Sequence, residues 1–512
     1  MIKKSLSQTS TMAWLFVGLA VFKFALHLSV SKNYGYFSDE LYTIALSKHL
    51  AFGYVDLPPL VPAVVALWRM LFGESLFSVH VLSASIGVIT LILVCQITRE
   101  LGGKHFAVVL AGLGFIVSPV WLTFNSYLAY DGFDQLILSI FFLLLIKLIK
   151  TENLRLWLPL GLVAGIALMT KATILFMGPG FVAALLIYKM RKHLLKPWPW
   201  IALGIFLLVI SPYIIWEYLN NWPTLEYWQS YADNRVYHAT LTEYLLNVVL
   251  LMNPLLTPLF LLGIYRLFKP FGDKNYGFFG IMFFITFIVM WKQAAGTYML
   301  AAAFMPLLVA GSIFLEEKLV NLKPLKTVVA TLILVSGIFL LPYSLPLLPP
   351  IQLQKYNQVF GFLYQPIKIN KQPQGILPQT LMGRLGWDKV VRTVAEVYEN
   401  LSPAERENSG IIADWYGSAG AIDLLGQKYD LPHAVSGHLT YFLWGPGEYS
   451  WDTMIVVGGN NGVYKYFFKE VNEITVVHND FAMFNNTTVP IYLCKEPTLP
   501  VARIWKNMKS LR

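Results

Sequence analysis

The sequence predicts an α-helical polytopic membrane protein that ends in a soluble mixed α/β domain. Three observations predict it: the apolar content, the spacing of long apolar runs, and a change of composition near residue 346. Of 512 residues, 56% are hydrophobic and only 13% are charged. Mean hydropathy is +0.56, outside the range of ordinary water-soluble domains, so a bilayer is the natural solvent.

The N-terminus, Met1-Ile-Lys-Lys, precedes an apolar stretch from Met12 to Val30. That stretch is long enough to span and has no convincing small-residue cleavage site, so it reads as an uncleaved first helix. Further runs begin near His80, His105, Phe133, Leu156, Ala172, Trp198, Leu246, Tyr276, Thr297 and Thr327, which makes about eleven candidate spans. Basic residues fill alternate connections: Arg99 and Lys104; Lys147, Lys150 and Arg155; Lys189 to Lys196; Arg266 to Lys274; Lys318 to Lys326. With Lys3 and Lys4 they mark the cytoplasmic side, so odd-numbered helices run outward and the C-terminal part lies outside. The remaining connections are outer loops. Lys32 to Leu60 carries Asp39, Glu40, Asp56 and Pro58-Pro59, and Asn220 to Glu243 carries aromatics with Asp233, Arg235 and His238. The fifth and sixth helices are short and meet at Lys171, near the outer surface.

Two units follow: a membrane domain over 1–345 and a soluble extracytoplasmic domain over 346–512. In the second, Gly410-Ile-Ile-Ala and Ser450 to Val457 read as strands, and Lys389 to Asn400 as an amphipathic helix. The net charge of +10 is the orientation signal of a membrane protein, and nucleic acid is not expected as a partner. Cys95 sits inside an apolar run and Cys494 near the C-terminus, which makes a disulfide framework unexpected. The 9 histidines show no zinc spacing, and there is no Walker loop or dinucleotide fingerprint.

Chemistry concentrates in the first outer loop. In Tyr36-Phe-Ser-Asp-Glu-Leu-Tyr, two carboxylates open an amphipathic stretch directly after a spanning helix. There they would meet a lipid phosphate at the membrane surface. Such a carboxylate can take a proton from an acceptor hydroxyl or amine as a phosphate leaves, or ligate a hard divalent cation such as Mg or Mn. The plainer alternative is a pair of charges that favour a helix N-terminus. Lys171 interrupts apolar sequence, where an ammonium must snorkel or find a partner; its sharper use is to hold a phosphate. Lys292, at the outer end of the ninth helix, and Arg235 are further cations of this kind.

Phe-x-Asp-Glu-Leu-Tyr followed by His-Leu-Ala-x-Gly-Tyr-Val-Asp-x-Pro-Pro-Leu resembles the first outer loop of bacterial family 39 glycosyltransferases. These belong to the GT-C superfamily, with protein O-mannosyltransferases and lipid A aminoarabinose transferases. Asn125 to Leu136, Met169-Thr-Lys, Trp291-Lys-Gln with Tyr298 to Glu316, and Trp415-Tyr-Gly-Ser-Ala through Trp444-Gly-Pro resemble the same group. The resemblance implies a GT-C membrane domain in the plasma (inner) membrane. It implies an enzyme that moves a sugar from a polyprenyl-phosphate donor to a glycan, lipid or protein acceptor. It places the general base at Asp39 and a second acidic site residue at Asp131 or Asp134, with Asp131 favoured as nearer the surface. Glu40, Asp56, Asp134, Lys171, Arg235 and Lys292 then bind substrate, and Asp39 and Asp131 are the candidate ligands of any divalent metal. A transporter or flippase is the rival expectation. It calls for polar residues near the midplane of several helices and often repeated halves, whereas here the charges gather at one face and no repeat is found.

Overall fold

A chain in lipid must satisfy its backbone internally, so its apolar runs have little choice but to become helices. The computed structural model describes residues 2–234, 236–363, 375–483 and 487–511. Its helices are α1 (Ile2–Val30), α2 (Ser38–Lys48), α3 (Leu60–Phe72), α4 (Leu76–Glu100), α5 (His105–Val117), α6 (Pro119–Phe124), α7 (Tyr130–Thr151), α8 (Trp157–Thr170), α9 (Thr173–Ile187) and α10 (Pro197–Leu219). They continue with α11 (Pro223–Asn234), α12 (Leu241–Met252), α13 (Thr257–Leu267), α14 (Gly277–Lys292), α15 (Met305–Lys318) and α16 (Lys323–Ser344).

Each apolar run in the sequence is helical, but not each is long enough to cross. Six helical segments pass by length and composition, in α1, α4, α7, α10, Thr297–Lys318 and α16. Two bent pairs raise the number to eight, one turning by 94° after α9 and the other by 96° between α12 and Pro254–Leu267. The helices α5, α8 and α14 have 13, 14 and 16 residues, short of the ~20 that a bilayer core requires. The chain is a multi-pass membrane protein, and this measure gives six to eight spans among the described residues. Helices α2, α3 and α11 fall outside the expected spans, and of these α3 buries Val61 and Val65 and exposes Leu67, Met70, Leu71 and Phe72. A 13-residue helix with such an apolar outer side suits the membrane interface better than its core.

The bundle packs α4 on α7, α8 on α10, α9 on α14 and α13 on α15. The last pair approaches closely because Gly263 and Gly311 face each other's helix, and a Cβ at either would run into its backbone. The basic connections gather at one end, where Lys150 meets Glu100 at 3.0 Å, Lys274 meets Glu152 at 2.7 Å and Arg266 meets Glu317 at 2.8 Å. The first-loop acids lie at the opposite end, after α1 and before α4.

The C-terminal part contains α17 (Pro350–Phe360), α18 (Gln379–Met382), α19 (Trp387–Glu399), α20 (Pro403–Asn408), β1 (Gly410–Ala413), α21 (Tyr416–Leu425), β2 (Ala434–Val435), α22 (Thr440–Leu443), β3 (Thr453–Val457), α23 (Asn461–Tyr464), β4 (Phe468–His478) and β5 (Thr488–Pro497). The strands form one sheet in the order β2-β1-β3-β5-β4. Its first three strands are parallel, with Ile411 beside Ala434 and Ile455; β5 and β4 are antiparallel. Alternation divides the sheet. Ile411, Ala413 and Ile455 face the cluster shared with α19 and α21, while Ile412, Met454 and Val456 face Trp451, Ile504 and Trp505. The small residues of α21 bring it down onto α2: a Cβ at Gly420 would stand 2.9 Å from the Leu41 backbone. Cys95 and Cys494 are free and buried.

Candidate active site

The Asp39-Glu40 pair opens α2, and a helix turns successive side chains about 100° apart, so the two carboxylates point in different directions. Glu40 points inward and is fully buried. Its carboxylate accepts the N–H of Phe37 at 2.7 Å and that of Leu128 at 2.7 Å, and it lies 3.1 Å from His80 Nε2. The other ring nitrogen of His80 donates to the Ser31 carbonyl at 2.7 Å. Burial works against the Glu40 charge, but His80, Arg384 and the Leu128 N–H outweigh it and hold the carboxyl below its ordinary range. Glu40 therefore ties α2 to the loop that leads into α7.

Asp39 points the other way. Its Oδ1 accepts the Tyr416 hydroxyl at 2.7 Å and the Ser38 hydroxyl at 3.2 Å. Burial pushes the carboxyl above its usual range; the bonds from Tyr416 and Ser38 oppose this, the nearby Asp131 charge adds to it, and Lys171 opposes it. An aspartate so placed is a better proton acceptor than a solvated one.

Asp131 stands in the first turn of α7, and Lys171 at the break between α8 and α9. Lys171 Nζ meets Asp131 Oδ1 at 2.5 Å, with side chains 16% and 13% exposed. The ammonium also lies 5.0 Å above the Tyr298 ring, a cation–π contact. Asp134 sits one turn further into α7, buried, with the Thr173 hydroxyl beside its carboxylate. The structure thus brings Asp39, Asp131, Asp134 and Lys171 together. Asp56 adjoins them through Tyr42, whose hydroxyl donates to it at 2.8 Å and whose ring lies 4.8 Å from that of Tyr416. Lys292 is exposed, with its ammonium 4.3 Å from the centre of the Trp291 ring and no hydrogen bond or ion pair to that group among the described residues. Arg235 lies outside the described residues.

Four residues that the sequence reading did not single out complete the site: Tyr416, His80, Tyr298 and Arg384. Buried Arg384, from the C-terminal part, donates to Ser126 Oγ at 2.7 Å and to the Thr380 carbonyl at 3.1 Å, and its guanidinium covers Tyr127 at 4.9 Å. It grips the 126–128 loop from one side while Glu40 holds it from the other. Tyr416 carried a signal, since the Trp415-Tyr-Gly-Ser-Ala stretch stood out; Arg384 carried none. Among the described residues no group of three or more His, Cys, Asp and Glu is arranged to hold a metal. Asp131 has an ammonium on its Oδ1, and one or two carboxylates hold a hard divalent cation only together with substrate phosphate or water.

Comparison with known proteins gives this arrangement a frame. A family model described as dolichyl-phosphate-mannose-protein mannosyltransferase matches residues 56–216. Curated protein sequences give no match. Among solved structures, ArnT from Cupriavidus metallidurans bound to undecaprenyl phosphate superposes with a TM-score of 0.59 at 12% identity, over 94% of this chain and 97% of that one. The fold is of the GT-C type. The same ArnT in its apo state gives 0.58 at 11% identity, over 95% and 98% of the two chains. The arabinofuranosyltransferase AftD from Mycobacteria gives 0.50 at 12% identity, over 94% of this chain and 40% of the longer one. Within this GT-C fold, Asp131, Asp134 and Lys171 lie inside the family-matched segment. Asp39 and its partner Tyr416 lie outside it.

Proposed function

We propose that this protein is an inverting glycosyltransferase that takes a hexosyl or pentosyl unit from a polyprenyl-phosphate carrier and passes it to an extracytoplasmic acceptor. The observation that carries the reading is the meeting of Asp39 with Lys171 and Asp131 at one end of a GT-C bundle. A base and a phosphate-binding cation stand there within reach of each other's charge. The matched family is described by dolichyl-phosphate-mannose and the ArnT structure holds undecaprenyl phosphate, which supports the donor class. The basic connections at the other end support a cytoplasmic N-terminus, with the domain over 1–345 in the membrane and that over 346–512 outside.

In this mechanism the acceptor hydroxyl or amine gives its proton to Asp39, and the freed electron pair forms a bond to the anomeric carbon from the face opposite the phosphate. The bond between that carbon and the phosphate oxygen breaks, and its electron pair leaves with the carrier phosphate, so the anomeric configuration inverts. Lys171 stabilises the charge that grows on the departing phosphate, and Asp131 holds the ammonium in place until the donor arrives. Glu40, His80 and Arg384 keep the loop before Asp131 in register. No step requires a metal, and transfer should persist in excess chelator. The acceptor classes that fit an outward-facing site are a protein, lipid A or another glycolipid, and a wall polymer. Cells lacking the protein should accumulate a polyprenyl-phosphate sugar that disappears when the gene is restored. An unchanged lipid-linked sugar pool would sink the proposal.

A further inference from the structure

A cavity lies away from the Asp39 centre, between the sheet and α11. Its volume is about 750 Å³. One wall is the carboxyl end of the parallel strands, where Asp414 follows β1 and Asn460 follows β3; Glu226, Gln229 and Asp233 of α11 form the other. The topology makes such a crevice. From β1 the chain passes through α21, on one face, to β2; it then returns through α22, whose Phe442 packs on the other face, to β3 on the far side of β1. The connections leave the sheet in opposite directions at this point and open a gap at the strand ends.

We propose that this cleft binds the carbohydrate part of the acceptor, so that the substrate is a glycan-bearing lipid or polymer with uncharged or amino sugars at the site. The lining decides the class. Carboxylates and amides are planar groups suited to pairs of sugar hydroxyls, and Asp414 already takes a hydrogen bond from Tyr464. Among the described residues the lining carries the carboxylates of Glu226, Asp233 and Asp414 against one cation, Lys509, which Glu226 holds at 2.6 Å, a charge balance that disfavours phosphate or uronate ligands. The cleft also connects to the base. Asp414 is two residues from Tyr416, the hydroxyl on Asp39, and lining residue Gly437 adjoins His438, whose ring lies 5.2 Å from that of Tyr416. A sugar held by these two loops is positioned by the segments that hold the base.

As an acceptor site the proposal rests on the transferase reading; as a glycan site it does not, and the experiment needs no donor. Methyl mannoside, methyl glucoside, methyl glucosaminide and methyl glucuronide are offered separately to the full-length protein in nanodiscs, and binding is read by saturation-transfer NMR. At least one uncharged or amino glycoside should bind and the glucuronide should not. Gln229→Trp on α11 and Asn507→Trp at the end of the helix Val501–Asn507 fill the cleft from two separate elements at exposed positions. Each should weaken binding by about tenfold or more, as expected when even one or two sugar hydrogen bonds are lost. Lys171→Ala should leave binding unchanged. Absence of binding by all four probes, binding of glucuronide equal to the others, or binding that survives both tryptophans would each overturn the proposal. Loss of lipid-linked sugar transfer alone would not alter these signals, so the two readings fail separately.

Discussion

Replacing Asp39 by Asn separates chemistry from architecture, because the amide oxygen can still accept from Tyr416 and Ser38, now 2.7 and 3.2 Å from the carboxylate oxygen. Both bonds lose their charge assistance, at a cost of about 1 kcal/mol each, while relief from burying a charge works in the opposite direction. Against a folding stability of about 5–15 kcal/mol for a typical domain, such a change leaves the folded fraction near one. What the amide cannot do is take up the acceptor proton. Loss of a general base costs about a hundredfold to ten-thousandfold in rate, equivalent to about 2.7–5.5 kcal/mol in the barrier. The assay is transfer by purified protein in nanodiscs, supplied with the lipid-linked sugar that accumulates in cells lacking it and with saturating acceptor. Donor binding should match the parent and turnover should collapse. Turnover within a few fold of the parent would falsify Asp39 as the base and move that role to Asp131.

Lys171→Ala removes an ammonium offered to phosphate and should weaken donor binding by about ten- to a hundredfold, the worth of one charge-assisted hydrogen bond; Lys171→Arg should restore it only in part because a planar fork replaces a compact charge. Full donor binding by the alanine variant would reduce Lys171 to a snorkelling residue. Glu40→Ala breaks a buried pair and leaves His80 and two N–H groups unmatched, costing about 3–5 kcal/mol, to be read as a lower melting temperature and poor insertion; Glu40→Gln should be milder in both. Because Asp39 must be ionised to act, its raised carboxyl places the acid limb of kcat/KM above the ordinary carboxylate range, with activity lost as pH falls through it. Tyr416→Phe removes a bond that opposes that rise, so its limb should move to still higher pH; an unmoved limb would disconnect Tyr416 from the base.

Hydropathy made the helical runs legible, because an apolar stretch in lipid has only one way to satisfy its backbone. It was less informative on their ends. The break at Asn253, where φ is +83°, and the short α5, α8 and α14 depend on packing against neighbours, which no window average contains. Asp39, Asp131 and Lys171 could be picked out because charges flanking apolar sequence are costly and demand a reason. Arg384 gave no such warning: an arginine in a polar stretch looks solvated until the fold buries it against Ser126 and Tyr127. The β4–β5 hairpin escaped for a similar reason. Its outer strand carries Lys469, Glu470, Asn472 and Glu473, and an edge strand facing water lacks the apolar alternation that marks a buried one.

The hydroxyl of Tyr416 on Asp39 has a consequence in time. The ribosome delivers α1 to α16 first, and both Lys171 and Asp131 can be in place while the chain beyond Ser344 is still being made. The partner of the base and the arginine that grips the 126–128 loop arrive only with the last third of the chain. A partly synthesised or truncated protein therefore carries the Lys171–Asp131 pair while Asp39 still lacks its Tyr416 bond and the 126–128 loop lacks the grip of Arg384.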